Sequence, residues 1–414
     1  MIARLPGWVW SLADQGLASA ATFTASLAVG RLAGADALAL YSVAFAAALF
    51  VGSIHQALIA FPVTTLAAGL PQDARDAHLA RLARWHRTGA WIAVLLTLAA
   101  LCWPQHGYLA AVGVGCAAAR AGIEFRRRAA YLSDRPLVAL GASLWAHAPV
   151  LGCALIGLLW WLYLGSRPLL SPESTATFAL AGLALGAAAG CWLTPVPGST
   201  APPTAGWDLA RAHWRLGRWY LASLMALWAT NYAFGWYLAG RGDLREAGYL
   251  HAARTLLGLP MAGLLAFDAW FQPRGRAAWV HGGGAALRQV VWSHALLAFA
   301  VALPCALLMW CWPTIISSMV FGPDFADAGP ALALTAWCVV LAVPDRLLNL
   351  LLSARQAPEA TAAGFVACLL LTAWLLPRWG SEGAVGCARL LAVNAGAMVV
   401  VPGAWLWWRW KYLA

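Results

Sequence analysis

Apolar residues run along this chain in about twelve stretches, each roughly as long as a helix needs to cross a hydrocarbon core. They fall near residues 9–30, 37–64, 88–104, 107–125, 137–164, 176–195, 216–239, 247–271, 290–312, 331–353, 359–377 and 383–408. In lipid every backbone polar group must find its partner within the segment, so runs this long are expected to be helices. A β-barrel would show short alternating segments instead, and the chain has none. The stretches at 88–104 and 107–125 are short, and they read either as two crossings or as one re-entrant unit.

Polar positions sharpen this pattern. Basic residues gather in every second connection: Arg75, Arg81, Arg84 and Arg87; Arg126, Arg127, Arg128 and Arg135; Arg211, Arg215 and Arg218; Arg274, Arg276 and Arg288; and finally Arg409 and Lys411. The intervening connections are poor in cations. Cytoplasmic loops carry the excess of Lys and Arg, so both termini are expected in the cytoplasm, with an even number of spans. Tryptophans such as Trp8, Trp10, Trp310, Trp312, Trp407 and Trp408 fall near span ends, where an aromatic belt sits.

Composition agrees. The chain is 62% hydrophobic and 10% charged, with mean hydropathy +0.70, whereas a soluble domain is about 25% charged. The net charge of +11 reads as a topology signal. Nucleic acid is not an expected partner, because no connection is long enough to gather those arginines on a soluble face. The nine cysteines are scattered through apolar segments without a CxxC pair, so neither a metal nor a disulfide is expected, and no cofactor is implied. Asp14 and Gln15 interrupt the first apolar run, which argues against a cleaved signal peptide.

The clearest break is the Pro/Gly-rich stretch from Thr194 to Trp207. It suggests an N-terminal lobe over 1–196, a cytoplasmic linker over 197–213 and a C-terminal lobe over 214–414. The halves share short matches. Leu32, Ala33, Gly34, Asp36 and Tyr41 in the first parallel Leu238, Ala239, Gly240, Asp243 and Tyr249 in the second. Phe61 and Pro62 parallel Phe271 and Pro273. Six spans per half would make this a parallel repeat about an axis along the membrane normal. The expected fold class is therefore an all-α polytopic membrane protein, with about 12 transmembrane helices in two six-helix lobes around a central cavity.

Function must then be read from polar groups inside the spans, where a charge costs at least about 2.5–3.5 kcal/mol. His251, Arg254, Thr255 and Gly258 share one helix face. Arg254 is either a cationic wall for an anionic substrate or half of a structural ion pair with Asp268 or Asp14. The first span carries Gln15 among small hydroxyl residues, with Asp14 beside them; His55 lies in the second span and Asn231 in the seventh. Asp345 and Arg346 read as a local or snorkelling arrangement, and Arg389 as a residue that snorkels outward. There is no GxSxG, P-loop, HExxH or chelating acidic pair, so an enzyme is not expected.

Several motifs resemble polysaccharide (O-antigen or exopolysaccharide) flippases of the multidrug/oligosaccharidyl-lipid/polysaccharide exporter superfamily. These are Asp14-Gln15-Gly16 with Arg31, Leu32, Gly34 and Tyr41; Glu124-Phe125 with Arg126 to Arg128; and Ala247-Gly248-Tyr249 with Ala252, Arg254 and Pro260. Phe321-Gly322 with Phe325, Ala328 and Pro330, and Pro377-Arg378 with Gly380, Gly383 and Ala384, extend the likeness. Arg355-Gln356-Ala357-Pro358 keeps only part of the family's glycine-basic-proline turn. The resemblance implies a rocking transporter whose cavity is lined by spans 1, 2, 7 and 8. Its substrate would be an undecaprenyl-pyrophosphate-linked oligosaccharide, and membrane lipid and polysaccharide assembly proteins would be its other partners. Arg254 would bind the pyrophosphate; His251, His55, Gln15 and Asn231 would contact phosphate or sugar; Asp14 or Asp268 would carry a coupling proton. The rival readings are a drug exporter of the same superfamily, a membrane glycosyltransferase or ligase, and a scaffold without transport activity.

Overall fold

The computed structural model describes residues 7–68, 70–101, 107–133, 135–164, 171–194, 206–355 and 358–413. Most of the expected 197–213 linker lies outside these residues. Every long described element is a helix: α1 Gly7–His55, α2 Phe61–Ala68, α3 Gln72–Leu101, α4 Gly107–Leu132, α5 Pro136–Leu164, α6 Pro172–Leu193 and α7 Gly206–Asn231. There follow α8 Ala233–Gly240, α9 Leu244–Cys311, α10 Pro313–Phe321, α11 Gly329–Ala354, α12 Pro358–Trp379 and α13 Gly383–Leu413.

Seven stretches among the described residues are long and apolar enough to cross a membrane. Two of them, Ala13–Val63 and Glu359–Arg409, each contain two helices joined by a turn. The chain is a multi-pass helical membrane protein. Inside α1 the backbone reverses at Gly34 (φ 80°, ψ −168°), a conformation open essentially only to glycine. Tyr41 on the returning limb reaches Ser26 on the first. In α9 the turn is at Gly283 (φ 62°), and Phe271 and Gly275 on one limb lie against His294 and Leu287 on the other. Both hairpins were expected from the apolar stretches; one turns at Gly34 and the other within the run Gly282 to Gly284.

The chain forms two compact units. One comprises Met1–Ala33 and Leu40–Trp228; the other comprises Gly34–Ala39 and Ala229–Ala414. In the first, Gly186 and Gly190 on α6 press against the Ala142 and Ala146 carbonyls of α5, with Ile123 packed alongside. Small residues four apart let two backbones approach closely, which is how helices associate where lipid is as apolar as leucine. Arginines finish the helix ends. Arg75 donates to the Leu132 and Leu70 carbonyls (2.8 and 3.1 Å), and Arg126 to the Thr194 carbonyl (2.9 Å). A cation at a helix C-terminus satisfies carbonyls that lack an intrahelical partner. These loop arginines therefore hold helix ends together.

In the second unit, α11 packs on α9 and α13, and α12 on α13. Gly364 of α12 lies under Pro402 and Met398 of α13. Glu246 of α9 accepts from the Ala384 N–H at the start of α13 (2.8 Å), a carboxylate placed at a helix N-terminus.

Candidate functional site

Each unit holds a buried ionic node, and the two are built differently. In the first unit Asp14 is 1% exposed. It accepts from Arg127 Nε (3.0 and 3.1 Å) and Arg127 Nη2, from the Tyr131 hydroxyl (2.9 Å) and from the Ser143 hydroxyl. Arg127 also donates to Glu124 (2.9 Å), which takes a second bond from Arg128 Nε (2.7 Å). Two carboxylates thus face two guanidiniums, and α1, α4 and α5 are tied together by a neutral cluster. The Arg128 guanidinium further covers the Phe61 ring at 4.9 Å.

Two histidine pairs lie in the same unit. His55 Nε2 and His86 Nε2 are 3.0 Å apart, and His86 stacks on Phe125. His78 and His213 meet at 3.2 Å, with His213 Nδ1 on the Leu58 carbonyl (3.1 Å). Both members of the second pair lie outside the spans and are buried. Burial, then His213 and Arg81, push His78 down to about 4; burial also lowers His213, against the Leu58 bond. A neutral pair shares one N–H, whereas two imidazoliums would have no acceptor between them.

The second unit keeps a different balance. Asp268 accepts from Arg346 Nη1 (2.7 Å) through one oxygen, and its other oxygen, buried and without a hydrogen bond, lies 3.6 Å from His294 Nε2. His294 is fully buried and stacks on Phe271 at 4.8 Å. Arg346 is therefore joined to another helix, a correction to its expected local arrangement with Asp345. Asp345 accepts from Asn349, one turn on in its own helix (3.1 Å).

Arg254 has neither Asp268 nor Asp14 as partner, and no carboxylate among the described residues lies within ion-pair distance of it. Its guanidinium rests on Tyr232, with Cζ 4.3 Å from the ring centroid, and the Tyr232 hydroxyl also bonds to it. Tyr232 is the junction between α7 and α8 (φ −108°, ψ −24°). The chain is braced there by Asn394 of α13, which is 4% exposed and donates to the Thr230 carbonyl (3.4 Å) and Thr372 Oγ1 (2.9 Å). Discontinuous helices of this kind line substrate sites in many transporters.

Of the expected site residues, Arg254, His251, Asn231 and Asp268 belong to the second unit. Arg254 and His251 stand about one turn apart on α9, and Asn231 adjoins Tyr232. His55, Gln15 and Asp14 belong to the first unit, where His55 meets His86 and Asp14 meets Arg127. Tyr232, Asn394 and His294 were missed from sequence, and Arg127 figured there only as a loop cation and a motif residue. A lone asparagine in the last span was a usable signal for Asn394, since Arg389 in the same span had been singled out.

No family model matches the chain, and no curated protein does. Solved structures do. An inward-facing multidrug-resistance MATE family transporter of the MOP superfamily superposes with TM-score 0.61 at 13% identity, covering 95% of this chain and 94% of that one. The lipid II flippase MurJ, in an inward closed conformation, gives TM-score 0.67 at 10% identity, covering 96% of this chain and 87% of that one. A MOP superfamily transporter from Pyrococcus furiosus, described as having a binding pocket of reverse polarity, gives 0.60 at 12%, covering 98% and 94%. The chain has the fold that these transporters share.

Proposed function

We propose that this chain is an alternating-access flippase. It moves undecaprenyl-pyrophosphate-linked oligosaccharide from the cytoplasmic to the outer leaflet of a bacterial inner membrane, both termini being cytoplasmic and two six-helix lobes doing the rocking. The observation that carries the reading is Arg254, a guanidinium on α9 with no carboxylate partner among the described residues; the apolar stretch that holds it, 247–271, reads as a span. A charge in a span is expensive unless something neutralises it, and an anionic headgroup would do so each time it entered. Guanidinium offers phosphate parallel, charge-assisted hydrogen bonds. The diphosphate needs such a path, because bare charge costs tens of kcal/mol in hydrocarbon by idealised estimate.

His251, three residues before Arg254, and Asn231, next to Tyr232, would contact phosphate or sugar; His55 and Gln15 are proposed for the same task from the first unit. For coupling, Asp268 is a better candidate than Asp14, because one Asp268 oxygen has no hydrogen bond while both Asp14 oxygens are engaged. The MATE neighbours favour a second reading, a small-molecule exporter. The cationic Arg254 suits an anionic cargo rather than a cationic drug.

The test is a deletion strain without a redundant flippase, in which lipid-linked oligosaccharide is quantified by leaflet. Accumulation on the cytoplasmic face with loss of surface polysaccharide is expected. Unchanged intermediates would move the assignment to small-molecule export, and accumulation on the outer face would point to a later polymerase or ligase step.

A further inference from the structure

The geometry points to Tyr232 as the residue that presents Arg254 to its anion. We propose that its ring is a platform holding the guanidinium flat, so that the site takes a phosphate with two oxygens side by side, as pyrophosphate offers. This rests on the reading of Arg254 as an anion site.

A cation over a tyrosine face within about 6 Å of the centroid is attracted by the ring's negative face, most strongly when desolvated, and here the separation is 4.3 Å. That contact holds the charge without neutralising it. Some stacked arginines also have an acid: Arg128 on Phe61 has Glu124, Arg389 on Trp379 has Glu382, and Arg409 on Trp405 has Glu359. Arg254, like Arg120 on Phe45 and Arg378 on Trp374, is stacked with no ion-pair partner among the described residues. A guanidinium has five N–H donors in its plane. The ring takes a face, and the Tyr232 hydroxyl takes one donor at most, so the rest of the planar fork remains for a ligand.

The platform is fixed from behind. Tyr232 sits where α7 gives way to α8, and the carbonyl two residues earlier, that of Thr230, is bonded by Asn394, which Thr372 of α12 anchors in turn. Three spans therefore set the position of one ring, and the ring sets the orientation of the fork. A lysine at 254 would supply charge without the planar pair of donors.

The experiment is calorimetric titration of inorganic pyrophosphate into the purified full-length protein in detergent. The variants are Arg254→Ala, Tyr232→Phe, Tyr232→Leu and the double variant Tyr232→Leu/Arg254→Ala, with thermal unfolding recorded for each. Tyr232→Phe is expected to bind within about threefold of the unaltered protein, and Tyr232→Leu about tenfold or more weakly. The double variant should bind no worse than Arg254→Ala alone, since the tyrosine acts through the arginine. If Tyr232→Leu does not fold, Tyr232→Trp replaces it and must retain binding through its larger face. Unchanged affinity in Tyr232→Leu, an additive double variant, Tyr232→Phe as weak as Tyr232→Leu, or lost binding in Tyr232→Trp would each overturn the platform. Pyrophosphate binding that is absent from the unaltered protein, or unaffected by Arg254→Ala, would instead overturn the anion-site reading beneath it.

Discussion

Arg127 and Arg254 are both arginines held among packed helices, and they are treated in opposite ways. Arg127 meets two carboxylates, Asp14 and Glu124, and the cluster closes with Tyr131, Ser143 and Arg128. Arg254 meets an aromatic ring and no acid among the described residues. A neutralised cluster ties α1, α4 and α5 together and leaves little for a ligand to do. A guanidinium on a tyrosine is positioned while its charge stays uncompensated, which suits a group that must bind an anion and release it. The acids show the same contrast: both oxygens of Asp14 are bonded, while Asp268 keeps one oxygen free of hydrogen bonds beside His294.

The sharpest way to break this contrast is to remove each arginine and compare thermal unfolding in detergent. Arg127→Ala leaves Asp14 buried beside a hole, and breaking such a pair from one side costs about 3–5 kcal/mol. It should lower the unfolding temperature strongly and reduce protein abundance. Arg254→Ala, which leaves no acid unpaired, should unfold near the unaltered temperature. Equal losses in both would erase the distinction. The double variant Asp14→Asn/Arg127→Met should recover much of what Arg127→Ala loses, because the uncompensated charge is gone.

The acids give the next largest effect. Asp268→Asn should remove the dependence of transport in proteoliposomes on an imposed ion gradient while the protein stays folded. Asp14→Asn should lower stability and leave gradient dependence in the surviving protein. The opposite assignment of phenotypes would exchange their roles.

A smaller effect concerns the His78–His213 contact. Burial holds His78 near 4, below the roughly 6.5 of an exposed imidazole. The unfolded chain then binds the proton first as pH falls, so the contribution to stability is complete above about 6.5 and is lost progressively towards 4. Unfolding temperature should fall over that window and fall less in His78→Gln. A parallel decline in the variant would remove the pair from the explanation. The smallest effect is expected at Arg389, whose pairing with Glu382 is exposed: Arg389→Ala should change stability by no more than about 1 kcal/mol.

Much of the architecture could be read from the residues because spans are local. The apolar runs, the basic connections and the glycine turn at Gly34 are statements about neighbours in sequence. Arg254 stood out for the same reason, sharing one helix face with His251 at a spacing of three. What escaped were contacts between distant helices. Asp14 and Arg127 lie in different helices, and so do His78 and His213, and no periodicity pairs them. For Arg254 the sequence left an ion pair and an anion site open; the position of Tyr232, which only the packing fixes, weighs against the first. Asp14 is the reverse case: its polar surroundings resembled a functional site, and the packing gives it three partners.

The most direct test of the account is export by Arg254→Ala in the deletion strain, at matched protein level, with Arg389→Ala as control. Lipid-linked oligosaccharide is quantified by leaflet. The account predicts that Arg254→Ala leaves the intermediate on the cytoplasmic face and the surface without polysaccharide, whereas Arg389→Ala restores both. Normal export by Arg254→Ala would contradict it.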